Sequence, residues 1–416
     1  MNGQEQIQRA EDHQPGPKIR VLIFNLYTET GGGENSLCNI LRTMDREHVV
    51  PIMVFPQEGA FKRKVERLGV ETIVFSFPVV MLKQLIIPSV FFKTMRASRR
   101  IYRLLLEKKI DVVQCSDLLS LLILALPVML SRIPVVYSVI FFHEWTRMIA
   151  FNILALMFVD IIVTNSESVA KDLNQRTMML DDKIETILPG VDTKIFRPLE
   201  RGEINLLRQE LQIPLSIRII GMVARFDPVK GHDTFLRTAA ELLRTCTDLH
   251  FVVIGGLMNK KIYPSVDDYH QSVLRESGWL REEKKLSFLN DREDLPELLR
   301  GIDLLVCPSL SEGFGLIVLE ALASGVPVVL SRSVGASDMV RNLPGVYIVN
   351  EPTPSLLAAA VKNAMDDQNN RPIGVRDYLS REFDWGRSSR RFEFLYKSLL
   401  QQEVTSHHYS EWSTIL

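Results

Sequence analysis

The sequence predicts an α/β protein built from two doubly wound, Rossmann-like units, and three observations carry that prediction. The chain has 416 residues, more than one ordinary hydrophobic core accommodates. β-rich apolar runs alternate with segments of helical period along its length, the signature of βαβ units on a parallel sheet. A proline- and glycine-bearing break, Pro189-Gly190-Val191-Asp192 through Phe196-Arg197-Pro198, divides the alternation near its middle, and the pattern restarts beyond it.

The elements follow in order. Arg20–Asn25 reads as the first strand, and after a glycine turn comes a helix with Leu37, Ile40, Leu41 and Met44 on one face. Further strands are expected at Val50–Phe55, Thr72–Ser76, Asp111–Cys115, Pro134–Ile140, Asp160–Thr164 and Glu185–Leu188. Past the break, Arg218–Ala224 reads as a strand, followed by a helix with Phe235, Ala239, Leu242 and Leu243 on its inner face. Strands at His250–Ile254, Leu286–Leu289, Asp303–Cys307, Val326–Leu330 and Val346–Val349 complete the second unit. Arg381–Leu400 has the pattern of an amphipathic helix, expected to cross back to the first unit, with a polar, frayed tail after it. The expected organisation is a disordered lead-in at 1–18, units at 19–190 and 191–380, and a terminal helix with its tail at 381–416.

Composition excludes several classes. Hydrophobic residues make up 46% and charged residues 24%, which is globular rather than disordered or fibrous. A formal net charge of -1 provides no general basic field for nucleic acid. Cys38, Cys115, Cys246 and Cys307 are scattered without a CxxC pair, which argues against a zinc site or disulfide framework and fits a reducing cytoplasm. The polar lead-in lacks the apolar core of a secretory signal. Leu118–Leu130 is apolar for about 13 residues, short of the ~20 that span a bilayer, and reads as a buried helix. Phe151–Val163 is similar but is interrupted by Asp160.

Three segments carry candidate chemistry. Gly31-Gly32-Gly33-Glu34 lies between a strand and a helix, where glycines let backbone N–H groups approach an anion; it equally fits a tight turn without a ligand. It lacks GxGxxG spacing, so a dinucleotide site is not favoured. Arg225 and Lys230, in VARFDPVKGHD, place two cations on one loop at the carboxyl end of a strand, suited to a diphosphate or else to solvent. His232 suits either a contact to ligand or a local role at the helix start, and Asp233 suits the N-cap. The third segment, Pro308 to Ala321, ends a strand, turns through Gly313-Phe314-Gly315 and opens a helix at Leu316. Backbone N–H groups there would bind phosphate. Glu320 lies along that helix, where a carboxylate can accept hydrogen bonds from vicinal ribose hydroxyls, and Glu312 lies on the turn.

These pieces occur in an order that resembles the retaining family-4 glycosyltransferases (glycosyl transferases group 1) of the GT-B fold. GGGE, PGVDTKIFRP, VARFDPVKGHD, FVVIGG and SEGFGLIVLEALASGVPVVLSRSVGASDMV carry the resemblance across both halves, and Glu312 and Glu320 match the EX7E motif. The resemblance implies two Rossmann-like domains facing across a cleft and transfer of a hexose-type sugar from a nucleotide-diphosphate sugar. The acceptor would be a glycan, a lipid-linked or a small molecule. It implies retention of configuration with no metal or other cofactor. Arg225 and Lys230 would hold the donor diphosphate, Glu320 the ribose, and Glu312 with the Gly313, Phe314, Gly315 and Leu316 backbone the phosphate and sugar. Gly32 and Gly33 would approach the donor from the N-terminal half, and Phe288, Asn290 and the chain to Arg292 would pass the base.

The departures are specific. The family's histidine after the PVVYSVI strand is Ile140 here, and His143 is either its replacement as a catalytic group or a surface residue. Asn290 stands where a glycine is usual, and Gly335-Ala336-Ser337-Asp338 ends in a shorter carboxylate than the family's. A non-catalytic nucleotide-sugar-binding partner subunit and a GT-B epimerase are the competing readings. Finally, residues 86–106 set Lys93, Arg96, Arg99, Arg100 and Arg103 among Phe91, Phe92, Met95, Ile101, Tyr102 and Leu104. That pattern fits either an anionic membrane surface or an ordinary helix with a solvated basic side.

Overall fold

The computed structural model describes residues 18–26, 31–75, 88–139, 145–177, 180–257, 265–367 and 370–412. It divides into two compact units: residues 1–165, 169–188 and 385–416 form one, and residues 166–168 and 189–384 the other. Ile140 and His143 lie outside the described residues, as does the lead-in up to residue 17.

In the first unit the described strands are β1 (Ile19–Phe24), β2 (Val49–Phe55), β3 (Glu71–Val74), β4 (Val112–Cys115), β5 (Val135–Val139), β6 (Ile161–Thr164) and β7 (Ile184–Thr186). They form one parallel sheet in the order β3-β2-β1-β4-β5-β6-β7. A strand's side chains alternate between faces. Accordingly, Leu22 and Phe24 pack into one core with Ile101, Leu121, Tyr137 and Phe151. Val21 and Ile23 pack into the other, with Leu41, Phe61, Val65 and Leu395. The first of these cores lies under the helices Pro88–Glu107, Leu118–Ser131, Trp145–Phe158 and Glu167–Arg176. The second lies under Gly32–Thr43, Ala60–Arg67 and the terminal helix Trp385–Trp412.

Leu118–Ser131 is indeed helical, with Asp117 at its N-cap accepting from Ser120 N–H at 2.7 Å. Among the described residues no helix is long and apolar enough to cross a membrane. The terminal helix begins later than the apolar periodicity suggests. Arg381 and Glu382 close a separate helix, Val375–Glu382, and the chain turns at Phe383, whose carbonyl accepts from Val191 N–H at 2.8 Å. Four side chains of the terminal helix, Phe392, Leu395, Tyr396 and Leu399, are core residues of the first unit. The Tyr396 hydroxyl donates to Gln114 Oε1 on β4, and Gln114 Nε2 donates to Ser138 Oγ on β5 at 3.0 Å, so the helix is joined to the middle of the sheet.

The second unit repeats the design with β8 (Arg218–Val223), β9 (Leu249–Ile254), β10 (Leu286–Leu289), β11 (Leu304–Cys307), β12 (Val328–Ser331) and β13 (Val346–Val349). Its parallel order is β10-β9-β8-β11-β12-β13. The winding direction reverses between β8 and β11. In open α/β sheets that reversal opens a crevice at the carboxyl ends of the strands, where ligands bind.

Tyr396→Phe should lower stability by about 1–3 kcal/mol, because it leaves Gln114 Oε1 buried without its donor. Thermal unfolding checks this, and an unchanged melting temperature would refute the role given to the bond.

Candidate active site

The loops that leave β8 and β11 at the reversal hold most of the sequence-selected residues. After β8 the chain passes Arg225, Phe226 and Asp227 and makes one tight turn, Pro228–Lys230, with Asp227 Oδ1 accepting from Val229 N–H at 3.1 Å. Gly231 then starts the helix His232–Leu243 from the left-handed conformation, φ +75°. A Cβ at Gly231 would sit 2.5 Å from the Pro308 carbonyl oxygen, so only glycine lets the β8 loop lie against the β11 loop. Leu310 N–H donates to Val229 O at 2.7 Å and ties the two loops together. Gly231 therefore occupies the N-cap expected for Asp233, which lies within the first turn.

The β11 loop is shaped by the segment after β12. Glu312 N–H donates to Ser333 O at 3.3 Å, Gly335 N–H to Glu312 O at 3.0 Å, and Ala336 N–H to Phe314 O at 2.8 Å. Glu312 thus pairs like a short strand beside Val334. Gly315, φ +87°, opens the helix Leu316–Ala323, and no side chain caps that start. Its first N–H groups have no side-chain cap, and the helix dipole places partial positive charge there.

Charge is distributed unevenly over these loops. Lys230 Nζ and a Glu312 carboxylate oxygen form a direct ion pair, each side chain mostly covered. Arg225 extends into solvent. Glu320 stands apart: among the described residues no hydrogen bond or ion pair to its carboxylate is recorded. Part of its surface still meets solvent, yet the density of protein around it pushes the carboxyl up to about 7, with desolvation the sole cause. Among the described residues such a group has no protein donor to stabilise its charged form.

Beside the β8 loop, Phe226 is stacked on His232 with centroids 4.6 Å apart and lies 6.2 Å from Phe288. Burial pushes His232 down to about 4, so it is a neutral ring inside the unit. Phe226 is not among the candidate site residues; its only sequence signal is an aromatic residue on the loop between Arg225 and His232. Asn290 is exposed at the end of β10. Arg292 is committed to Asp294 at 2.7 Å and Glu210 at 2.8 Å. Asp338 faces Arg332 at 3.4 Å on the surface.

The structure therefore brings together Lys230, Glu312 and the Gly313–Leu316 turn, with Phe288 near Phe226. Gly32 and Gly33 belong to the first unit, in the first turn of the helix Gly32–Thr43. There Glu34 Oε2 accepts from Gly31 N–H at 2.9 Å and holds the glycine turn.

Comparison with known proteins is consistent across both halves. The Glycosyltransferase Family 4 profile matches residues 30–195, and the Glycosyl transferases group 1 profile matches residues 203–374. The chain belongs to the family-4 glycosyltransferases. Relatives include the D-inositol 3-phosphate glycosyltransferase of Corynebacterium aurimucosum, 29% identical over 60% of this chain and 59% of the relative. The enzyme of that name from Salinispora tropica is 28% identical over 59% of this chain and 52% of the relative. The chain thus spans under two thirds of these relatives' length. Among solved structures, HepE of Anabaena in complex with UDP and glucose superposes with a TM-score of 0.76 at 19% identity, covering 91% of this chain and all of that one. Sucrose-phosphate synthase of Thermosynechococcus elongatus gives 0.73 at 15%, covering 92% of this chain and all of that one. These likenesses establish the GT-B fold for this family-4 chain.

Glu320 yields a pH prediction. Its carboxyl is raised above the ordinary 4.5 in the folded chain, so the folded state holds the extra proton between about 4.5 and 7 and stability falls as pH rises through that window. Glu320→Gln removes the penalty. Its melting temperature, measured without nucleotide, should exceed wild type at pH 8 and approach it at pH 5; a difference independent of pH would contradict the assignment.

Proposed function

We propose that this chain transfers a sugar from a nucleotide-diphosphate sugar to a hydroxyl acceptor, with retention of configuration and without a metal ion. The observation that carries the reading is Glu320, a desolvated carboxylate on the helix that begins at the strand reversal. A ribose diol would give it two donors, while the uncapped start of the same helix and the two cations of the β8 loop receive the diphosphate. One ligand then satisfies two local deficits, the unpaired carboxylate and the uncapped helix start.

Chemistry follows from where charge develops. Breaking the bond between the sugar and the phosphate leaves negative charge on the departing diphosphate. Arg225, Lys230 and the N–H groups at Gly315 and Leu316 would stabilise it as it grows. They supply the positive charge for which a metal ion would otherwise be needed. In the structure Lys230 pairs with Glu312, and a donor diphosphate would draw Lys230 towards its oxygens. Glu312 would then accept a hydrogen bond from a sugar hydroxyl. Retention follows if the acceptor oxygen attacks on the face the diphosphate leaves. The acceptor proton passes to a phosphate oxygen, and no enzymic nucleophile is required. A glycan, a lipid-linked sugar or a small polyol each offers such an oxygen, and D-inositol 3-phosphate, named in the relatives, is the first acceptor to assay.

Thermal unfolding with UDP, GDP, ADP and their sugars, in the absence of metal, tests the donor site. One nucleotide should stabilise wild type and leave Glu320→Ala unmoved. If the carboxylate form binds the ribose, affinity should rise on the order of tenfold between pH 6 and pH 8. Arg225→Ala should lower kcat/KM by about 100-fold. Stabilisation by none of the nucleotides would overturn the reading, and stabilisation without turnover would favour a nucleotide-binding partner subunit.

A further inference from the structure

The helix layer covering one face of the first unit's sheet has an outer surface that the proposed transfer reaction does not use. Trp145–Phe158 buries Met148, Phe151 and Ala155 against the sheet. Its opposite side exposes Ile149 at 74%, Ile153 at 54%, Leu156 at 41% and Met157 at 66%. Those four positions follow i, i+4, i+7 and i+8, so they form a second apolar stripe on a helix whose first stripe is already core. The adjacent helix Leu118–Ser131 exposes Met129 and Leu130. Next to it, Pro88–Glu107 exposes Phe92 and Leu106 together with Lys93, Arg96, Arg99, Arg100 and Arg103. Arg100 is seated over the Phe75 ring at 4.5 Å.

The charge on these three helices is one-sided, whereas the fourth helix packed on the same core, Glu167–Arg176, carries two acids and two cations. Glu107 is the sole acidic residue in the sequences of the three helices, against six cations counting Arg147. A stable protein interface needs counter-charges for cations it buries. A second copy of this chain would present the same helices and so the same deficit. An anionic bilayer meets both demands at once, since its headgroups neutralise the basic stripe and its acyl boundary accepts the apolar one.

We propose that the outer surface of the helices at 88–107, 118–131 and 145–158 docks on an anionic lipid bilayer. The surface lies on the membrane without crossing it. Exposed aliphatic side chains enter the headgroup–acyl boundary, and the arginines of the first helix contact lipid phosphate. The inference stands on the first unit alone and does not require the donor-site reading.

Sedimentation with large unilamellar vesicles tests it on the full chain. Binding is expected to vesicles containing phosphatidylglycerol, little to pure phosphatidylcholine, and less at 0.5 M than at 0.1 M salt. Arg96→Gln with Arg99→Gln should weaken the binding on the order of tenfold. Ile149→Ser with Ile153→Ser should weaken it similarly while salt dependence persists. All substituted positions are exposed, and a melting temperature equal to wild type confirms that the variants fold. Failure of the wild-type chain to sediment with anionic vesicles would overturn the proposal, as would binding that neither pair of substitutions weakens. Concentration-dependent dimerisation abolished by the serine pair, with no vesicle binding, would assign the face to a second copy instead. Nucleotide stabilisation measured on the same variants keeps this test separate from that of the donor site.

Discussion

A parallel sheet wound outward from its centre in both directions has one place where two neighbouring strands send their connections to opposite faces. Nothing covers the crevice between those connections, and the backbone there ends in loops whose N–H groups point outward. In the second unit that place lies between β8 and β11. The site depends on this constraint more than on any single side chain. It sets Lys230 from one loop beside Glu312 from the other, and it requires Gly231, because the loops approach too closely for a Cβ. The segment from Ser333 to Ala336 completes the arrangement by pairing with the Glu312 loop, so a third strand end fixes the first two.

Within that frame, two glutamates have opposite electrostatic circumstances. Glu312 has a cation at hand and contributes a neutralised pair to the folded chain. Glu320 has none, and its desolvation is a cost borne by the fold. A part-buried carboxylate with no protein partner among the described residues adds nothing to stability by being there. Its unpaired condition is the physical reason for reading it as ligand-directed, since binding energy from hydroxyl donors recovers what folding loses. The neutral His232 shows the contrasting case: burial pushes it down to about 4, and its ring serves as an aromatic plate against Phe226.

The strands were legible because a buried parallel strand is a short apolar run bounded by turn residues; Leu286–Leu289 and Val346–Val349 match their sequence-based limits. Where limits moved, tertiary contacts moved them. The run at Val326 enters the sheet only at Val328, because Val326 N–H is already used by the Ala321 carbonyl, and Pro327 has no N–H to give. The terminal helix shows the same effect, its break at Phe383 set by a hydrogen bond from Val191, nearly two hundred residues earlier. At the site, the cations and the glycine turns were legible since each lies within a single loop or helix start. The Lys230–Glu312 pair and the pairing of residues 333–336 with the Glu312 loop were not, because each joins separate segments of the chain.

The helix Trp145–Phe158 marks a limit of periodicity itself. A segment that is apolar on all sides gives no preferred face, and the natural reading is complete burial, as for Leu118–Leu130. The structure buries one stripe and leaves the other in contact with solvent. Burying Phe151 and Ala155 explains half of the helix composition; the fold of the first unit gives no reason for Ile149, Ile153 and Met157 on the outside, where polar residues would cost nothing. A basic stripe by itself has an ordinary explanation in solvation, and scattered surface apolar residues need none. What requires a cause is their adjacency on three neighbouring helices that carry a single acid between them. A surface that attracts negative charge and also loses free energy in water is best matched by a partner that is both anionic and apolar within a few ångströms of depth.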